Sequence, residues 1–242
     1  MKINLSDFPT RAPENIKKDD AEKQMEKWKD ELDILQNRLI SRSEFSILVI
    51  LQGLDASGKD GAIKKIFSGF NPLGISVKAF KKPTEEESKH DFLWRVHQEA
   101  PEKGMIRIFN RSHYEDVLVG VVEKWFDEDT VRNRYKHIRQ FEELLQDNRT
   151  HILKFYLHCS DKERLERLNE RLLNPEKKWK YNPGDMLVFE KRAEYIKQYE
   201  QIFENTSEIV EWQIIPSDQN WYKEYLITQS LHSLMMKLLG PL

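Results

Sequence analysis

Gly53, Gly58 and Lys59, within the stretch GLDASGKDG, stand at the spacing G-x-x-x-x-G-K. Glycines at that interval let backbone N–H groups turn inward around a phosphate, and the lysine, expected in a solvent-facing loop, adds a mobile positive charge. Ala56, Ser57 and Asp60 complete the loop, and the positive end of a following helix would strengthen the anion cradle. Asp60 stands where a Ser or Thr hydroxyl ordinarily touches Mg2+, and a second carboxylate, Asp55, lies inside the loop. A carboxylate among phosphates repels the ligand unless a hard cation separates them, so Asp55 points to Mg2+, with Mn2+ as the other candidate. The plain alternative is a tight glycine turn joining any strand to any helix.

Three further clusters could do chemistry. Lys81 and Lys82 follow an apolar run directly, where the carboxyl end of a strand in an open α/β sheet binds ligands, and they suit a polyanion. Asn110-Arg111-Ser112-His113-Tyr114-Glu115-Asp116 ends a second apolar run, the place from which a phosphate-loop fold holds metal or acceptor. His113 there reads either as a general base or as a hydrogen-bonded structural residue. Arg164, Arg167 and Arg171 fall at spacings of three and four and project from one helical face. They lead into the basic, proline-broken segment Asn174 to Lys180, and a mobile lid over residues 161–185 is expected.

The elements that must position these groups follow from pattern. An extended arm to about Lys18 precedes a helix over Asp19 to Arg42; these residues, 1–42, form an N-terminal extension. Strands are expected at Ile47–Leu51, Ile75–Phe80, Met105–Phe109, Thr150–His158 and Ile209–Ile215. Helices are expected at Ala62–Phe70, Glu85–Ala100, Asp129–Asp147, from an Asp161 cap, Met186–Phe203 and Asn220–Leu239. That alternation predicts one three-layer α/β/α domain over 1–242, with about five parallel strands.

Charged residues make up 33% of the chain, so many helices must be wetted on one side, yet the formal net charge is only −2. That balance excludes a surface that wraps nucleic acid, and any anion site must be a local concentration of Lys and Arg. The one cysteine, Cys159, lies in an apolar run and reads as core, not nucleophile. With neither a secretory segment nor an apolar span of about 20 residues, a cytoplasmic protein with no membrane partner is expected.

Five separated motifs carry a family resemblance: GLDASGKDG, HDFLWR (His90 to Arg95), FNRSHYEDVLV (Phe109 to Val119), ERLNERLLNPEKKWKYNPGD (Glu166 to Asp185) and IPSDQNWYK (Ile215 to Lys223). Together, from about Asp19 onward, the chain resembles the type 2 polyphosphate kinases. The resemblance implies phosphoryl exchange between inorganic polyphosphate and nucleotides with Mg2+, a thymidylate-kinase-like fold, and homodimers or homotetramers. Members acting on nucleoside diphosphates read FDRSWYNR at the second cluster, where this chain has Asn110 and Glu115. FNRSHYE is similar to the branch acting on both AMP and ADP. The change to Asn110 removes one metal ligand and leaves Asp55 as the main carboxylate on the ion.

On that reading Lys59, Lys81, Lys82, Arg111, Arg167 and Arg171 form the polyphosphate track, while Arg95 and Glu115 face the acceptor nucleoside mono- or diphosphate. Asp55, Lys59, Asn110, Arg111, Glu115 and Arg171 are the expected catalytic set, and Gly53, Ala56, Ser57, Gly58 and Asp60 line the phosphate cradle. An ATP-dependent nucleoside monophosphate kinase, or a nucleotide-binding regulatory module without turnover, are the competing functions.

Overall fold

The computed structural model describes residues 3–174, 176 and 189–242. Five strands, β1 (Ser46–Gln52), β2 (Ile75–Ala79), β3 (Ile106–Asn110), β4 (Thr150–His158) and β5 (Trp212–Pro216), form one sheet in the order β2-β3-β1-β4-β5. Every pairing is parallel. A central parallel strand is covered on both faces, and β1 accordingly has no exposed position along its length.

The helices divide between the two faces. On one side α1 (Lys18–Arg42), α2 (Lys59–Phe67) and α8 (Asn220–Leu239) pack Leu32, Leu35, Ile66, Ile227 and Leu231 against Ile47, Val49, Leu51 and Phe155. On the other, α4 (Glu115–Val122), α5 (Glu128–Asp147) and α7 (Arg192–Thr206) bring Val117, Leu118, Ile138, Phe141 and Ile202 against Leu48, Ile50, Phe109 and Tyr156. Alternate residues of each strand feed opposite cores, because side chains alternate across the sheet. The three-layer α/β/α reading holds.

This division creates the crevice. The chain leaves β1 toward α2 on one face and leaves the adjacent β3 toward α4 on the other, so the two connections part at the carboxyl ends of neighbouring strands. Such a switch point is where open α/β sheets bind ligands. Leu51 and Ala79 both lie level with Asn110, which sets the phosphate loop, the lysine pair and the Arg111 turn on one rim.

Several elements differ from expectation. The helix expected over Glu85–Ala100 is a 3-10 turn at Glu87–Lys89 and one short helix, α3 (Trp94–His97). Thr84 and Glu87 cap each other reciprocally, but His90 is extended and the Asp91 carboxylate accepts from the Leu93 N–H at 2.9 Å, which restarts the chain. Helix α2 begins at Lys59, not Ala62, since Gly58 at φ 96° turns straight into it. β5 begins at Trp212, not Ile209. The cap of α6 (Asp161–Leu173) is Ser160, whose Oγ accepts from the Glu163 N–H, with Asp161 already inside.

The N-terminal arm is pinned. Leu5 is buried, its N–H donates to Glu200 Oε1 at 2.8 Å, and Thr10 Oγ1 donates to Asp218 Oδ2 at 2.9 Å. Of the expected lid, α6 is described; residues 175 and 177–185 lie outside the described residues, as does the start of the helix expected from Met186. Among the described residues no helix is long and apolar enough to cross a membrane.

Candidate active site

The phosphate loop can be built only with glycine at two points. Gly53 has φ 149°, and a Cβ there would lie 2.7 Å from Ser57 Oγ and 3.0 Å from the Leu157 carbonyl. Gly58 also has a positive φ, and Lys223 and Arg167 fill the space beside it. The loop is then braced from below. Ser217 Oγ donates to the Ser57 carbonyl at 2.6 Å, and Arg164 Nε donates to the Asp55 carbonyl at 2.9 Å. Arg167 Nη1 donates to the Ala56 carbonyl at 3.1 Å.

Lys59 was expected as a mobile charge facing solvent; it is buried. Its Nζ donates to the Gly53 carbonyl at 2.6 Å and the Leu54 carbonyl at 3.3 Å. Burial, with Arg111 nearby, lowers its pKa to about 8, although Asp55 and Glu115 oppose this. The ammonium is therefore part of the loop's own framework, and its removal loosens the cradle as well as discharging it.

Asp55 and Arg111 form an ion pair across the crevice, and Glu115 Oε2 lies 3.6 Å from Arg111 Nη1. The two carboxyls are pushed in opposite directions. Burial works to raise Asp55, but Arg111, Lys59, Arg164 and Arg171 outweigh it and hold the carboxyl below its ordinary range. For Glu115 burial wins over Arg111 and Lys59, and its pKa is raised. Neighbouring carboxyls separated in this way suit different tasks, one a fixed anion and one able to hold a proton.

Two cavities meet at this ion pair. A groove of about 810 Å3 is lined by Lys59, Lys81, Lys82, Arg111, Arg167 and Arg171, with Asp55 and Asp60 among them. A recess of about 40 Å3 on the other side is lined by Gly53, Asp55, Arg111, Glu115, Leu118 and Tyr195, with Tyr199 beneath. Asp55 and Arg111 line both.

The sequence-expected residues do not all face these cavities. Asn110 lines the groove and donates from Nδ2 to Asp60 Oδ1 at 2.8 Å. Arg167 lines it too, but its guanidinium also grips Glu163 and the carbonyls of Ala56, Ser217 and Asp218, so it acts as a brace. Arg164 does not share an open face with Arg171; it is fully buried under the loop. Arg95 sits behind the lysine pair, donating to the Lys81 carbonyl at 2.9 Å and paired with Glu87 and Asp116 at 3.5 Å, and lines neither cavity. His113 is fully buried against Phe141 and Tyr114, and burial lowers its pKa. Its Nε2 lies 3.7 Å from Glu142 Oε1, and the ring lines neither cavity.

The family model for Polyphosphate kinase 2 (PPK2) matches residues 15–238. The chain belongs to the PPK2 family. An AMP/ADP-polyphosphate phosphotransferase from Meiothermus ruber is 47% identical over 201 residues, covering 83% of this chain and 75% of the relative. An ADP-polyphosphate phosphotransferase from Rhodopseudomonas palustris is 34% identical over 251 residues, covering 98% and 87%. The crystal structure of polyphosphate kinase 2 from Arthrobacter aurescens TC1 superposes with a TM-score of 0.94 at 33% identity, over 98% of this chain and 86% of that one.

Within this PPK2 fold, sequence reasoning missed the residues that hold the loop from behind. Lys223 is fully buried, and its Nζ donates to Asn220 Oδ1 at 2.9 Å and the Gly58 carbonyl at 3.4 Å. Burial, then Arg167, lowers its pKa to about 8. Tyr199 Oη touches both the Gly53 N–H and Gln52 Oε1. The signal was present in IPSDQNWYK, where Ser217 and Lys223 bracket a strand-to-helix turn, but spacing alone does not show which loop a distant turn underlies.

Proposed function

We propose that this protein transfers the terminal phosphoryl group of inorganic polyphosphate to AMP and ADP, reversibly. The observation that carries the reading is the Asp55–Arg111 pair as the shared wall of a cation-lined groove and a smaller recess. A groove lined by six Lys and Arg side chains suits a chain with one charge per phosphate, and the recess beside Glu115 suits the acceptor phosphate. The name of the Meiothermus ruber relative supports the same donor and both acceptors, and that of the Rhodopseudomonas palustris relative supports the donor and ADP.

In the step itself an acceptor phosphate oxygen attacks the terminal phosphorus, and the bond to the bridging oxygen breaks. Its electrons leave with a polyphosphate shortened by one unit. Such a transfer needs alignment and charge neutralisation more than covalent help. Lys59 and Arg111 neutralise the equatorial oxygens, Arg171 holds the donor from α6, and Asp55 keeps Arg111 aimed between the cavities.

The donor set also fits a Mg2+ ion. Among the described residues no group of three His, Cys, Asp or Glu could cage a metal, while Asp55 is held anionic in the loop. Mg2+ is bound by one or two carboxylates together with substrate phosphates, so Asp55, with Asp60 nearby, would hold it and it would supply charge neutralisation. Mn2+ satisfies the same ligands. A homodimer or homotetramer in the cytoplasm completes the proposal.

The test is an assay for ADP and then ATP, with purified protein, Mg2+, polyphosphate and AMP. Transfer that requires ATP as donor would instead make it a nucleoside monophosphate kinase, and tight nucleotide binding without transfer a regulatory module.

A further inference from the structure

Strand β4 carries a charged residue where its neighbours are apolar. Lys154 lies between Ile152 and Tyr156 on the face that packs α4, α5 and α7, and it is fully buried. Its ammonium spends all three donors: on Glu142 Oε2 at 2.8 Å, Tyr114 Oη at 2.9 Å and the Thr206 carbonyl at 2.7 Å. Tyr114 Oη in turn donates to Glu142 Oε1 at 2.6 Å. Tyr114 and Glu142 are also fully buried.

An ion pair of this kind is not a source of stability, because apolar side chains of equal volume ordinarily serve as well. What a saturated buried network supplies is fixed geometry. Tyr114 stands between Arg111 and Glu115, and Arg111 has φ 61°, a left-handed backbone that a non-glycine residue keeps only where its surroundings dictate it. On the strand side the turn is tied by the Arg111 N–H to the Leu51 carbonyl at 3.0 Å and by Gln52 Nε2 to Ser112 Oγ at 3.1 Å. On the helix side the Tyr114 hydroxyl ties the turn to Glu142 and Lys154, His113 Nε2 lies 3.7 Å from Glu142 Oε1, and Asp116 just beyond is paired with Arg95 and Arg134.

We propose that the buried Tyr114–Glu142–Lys154 network is a positioning device for Arg111, holding the turn 111–115 so that the guanidinium lies between Asp55 and Glu115. The inference rests on the reading of this site as a phosphoryl-transfer centre. None of the three residues touches either cavity. Their effect on the reaction passes through the backbone of the turn.

Tyr114→Phe removes the hydroxyl and leaves the Glu142–Lys154 pair. Polyphosphate-dependent ADP formation from AMP is measured for the wild type, Tyr114→Phe, Arg111→Ala and the double variant. The expected result is a fall of about tenfold in kcat for Tyr114→Phe with AMP KM within about twofold, and no further loss when Arg111 is already alanine. Wild-type kcat in Tyr114→Phe, or the same fold-loss in both backgrounds, overturns the positioning role. Should Tyr114→Phe not fold, Tyr114→Phe combined with Glu142→Leu and Lys154→Met replaces the whole network by apolar volume and leaves no orphaned hydroxyl. That variant is expected to melt near the wild type and to lose kcat, and full activity in it overturns the inference. A wild-type chain that transfers nothing from polyphosphate removes the parent reading, a result separable from every variant comparison.

Discussion

Replacing Glu115 with Asn tests which side of the Asp55–Arg111 wall receives the nucleotide. Glu115 Oε2 lies 3.6 Å from the Arg111 guanidinium, a gross attraction of about 4 to 5 kcal/mol at an effective dielectric near 20. Burial raises the Glu115 pKa against this attraction, so Glu115 is the weaker of the two counter-charges beside Arg111. Arg111 also keeps Asp55 as its closer partner. General damage to transfer is therefore expected to stay below about fivefold. A monophosphate acceptor is one phosphoryl group shorter than a diphosphate and must be held deeper, against Glu115, to reach the same donor phosphorus. Glu115→Asn is expected to lower kcat/KM for AMP relative to ADP by at least about tenfold, roughly 1.4 kcal/mol. Glu115 is the first residue of α4, and losing a negative charge from that turn costs about 0.3–1 kcal/mol, which predicts a melting shift of only a few degrees. Both acceptors are assayed with the melting temperature on one preparation. Equal losses for AMP and ADP, accompanied by a lower melting temperature, would show that Glu115 only supports the helix.

Asp55→Asn should collapse transfer and raise the Mg2+ concentration needed for half-maximal rate; an unchanged Mg2+ titration removes the metal role. Arg171→Ala should lower turnover by about two orders of magnitude, the scale of losing a transition-state charge contact worth roughly 3 kcal/mol, and a change confined to nucleotide KM would place it on the acceptor instead. For pH, Lys59 and Lys223 are depressed to about 8 when folded, so between about pH 8 and 10 the unfolded chain binds more protons and unfolding free energy rises with pH. Above pH 10 the buried tyrosines Tyr114 and Tyr199, whose pKa values burial raises, reverse the sign. Chemical denaturation of the wild type and of Lys59→Met with Lys223→Met across that window should show the slope flattened in the variant, and an identical slope would refute the assignment.

Much of this was legible because local pattern and tertiary demand agree. Thr150–His158 and Asn220–Leu239 appear with the expected bounds, since a long β-rich run and a long amphipathic run each have one reading. Gly53, Gly58 and Lys59 announced the loop by spacing. The segment 85–100 misled because EEESKH has high helix propensity but no apolar face, and the reciprocal cap spends itself on a single turn. The exposure of Lys59 was misjudged because its partners are carbonyls, which no side-chain pattern reveals. Glu142 and Lys154 were hidden differently: each reads as an ordinary charge in its own element, and only the packing of α5 on β4 brings them together.

The place of β1 at the centre of the sheet also has a consequence for how the molecule comes into being. β1 and its loop are synthesised early, but both neighbours, β3 and β4, lie later in sequence, and the turn at Ser217 that braces Ser57 comes after β5. Pairings so distant along the chain are slow to close and leave an apolar strand uncovered meanwhile. The loop after β1 therefore acquires its final shape only when nearly the whole chain has emerged.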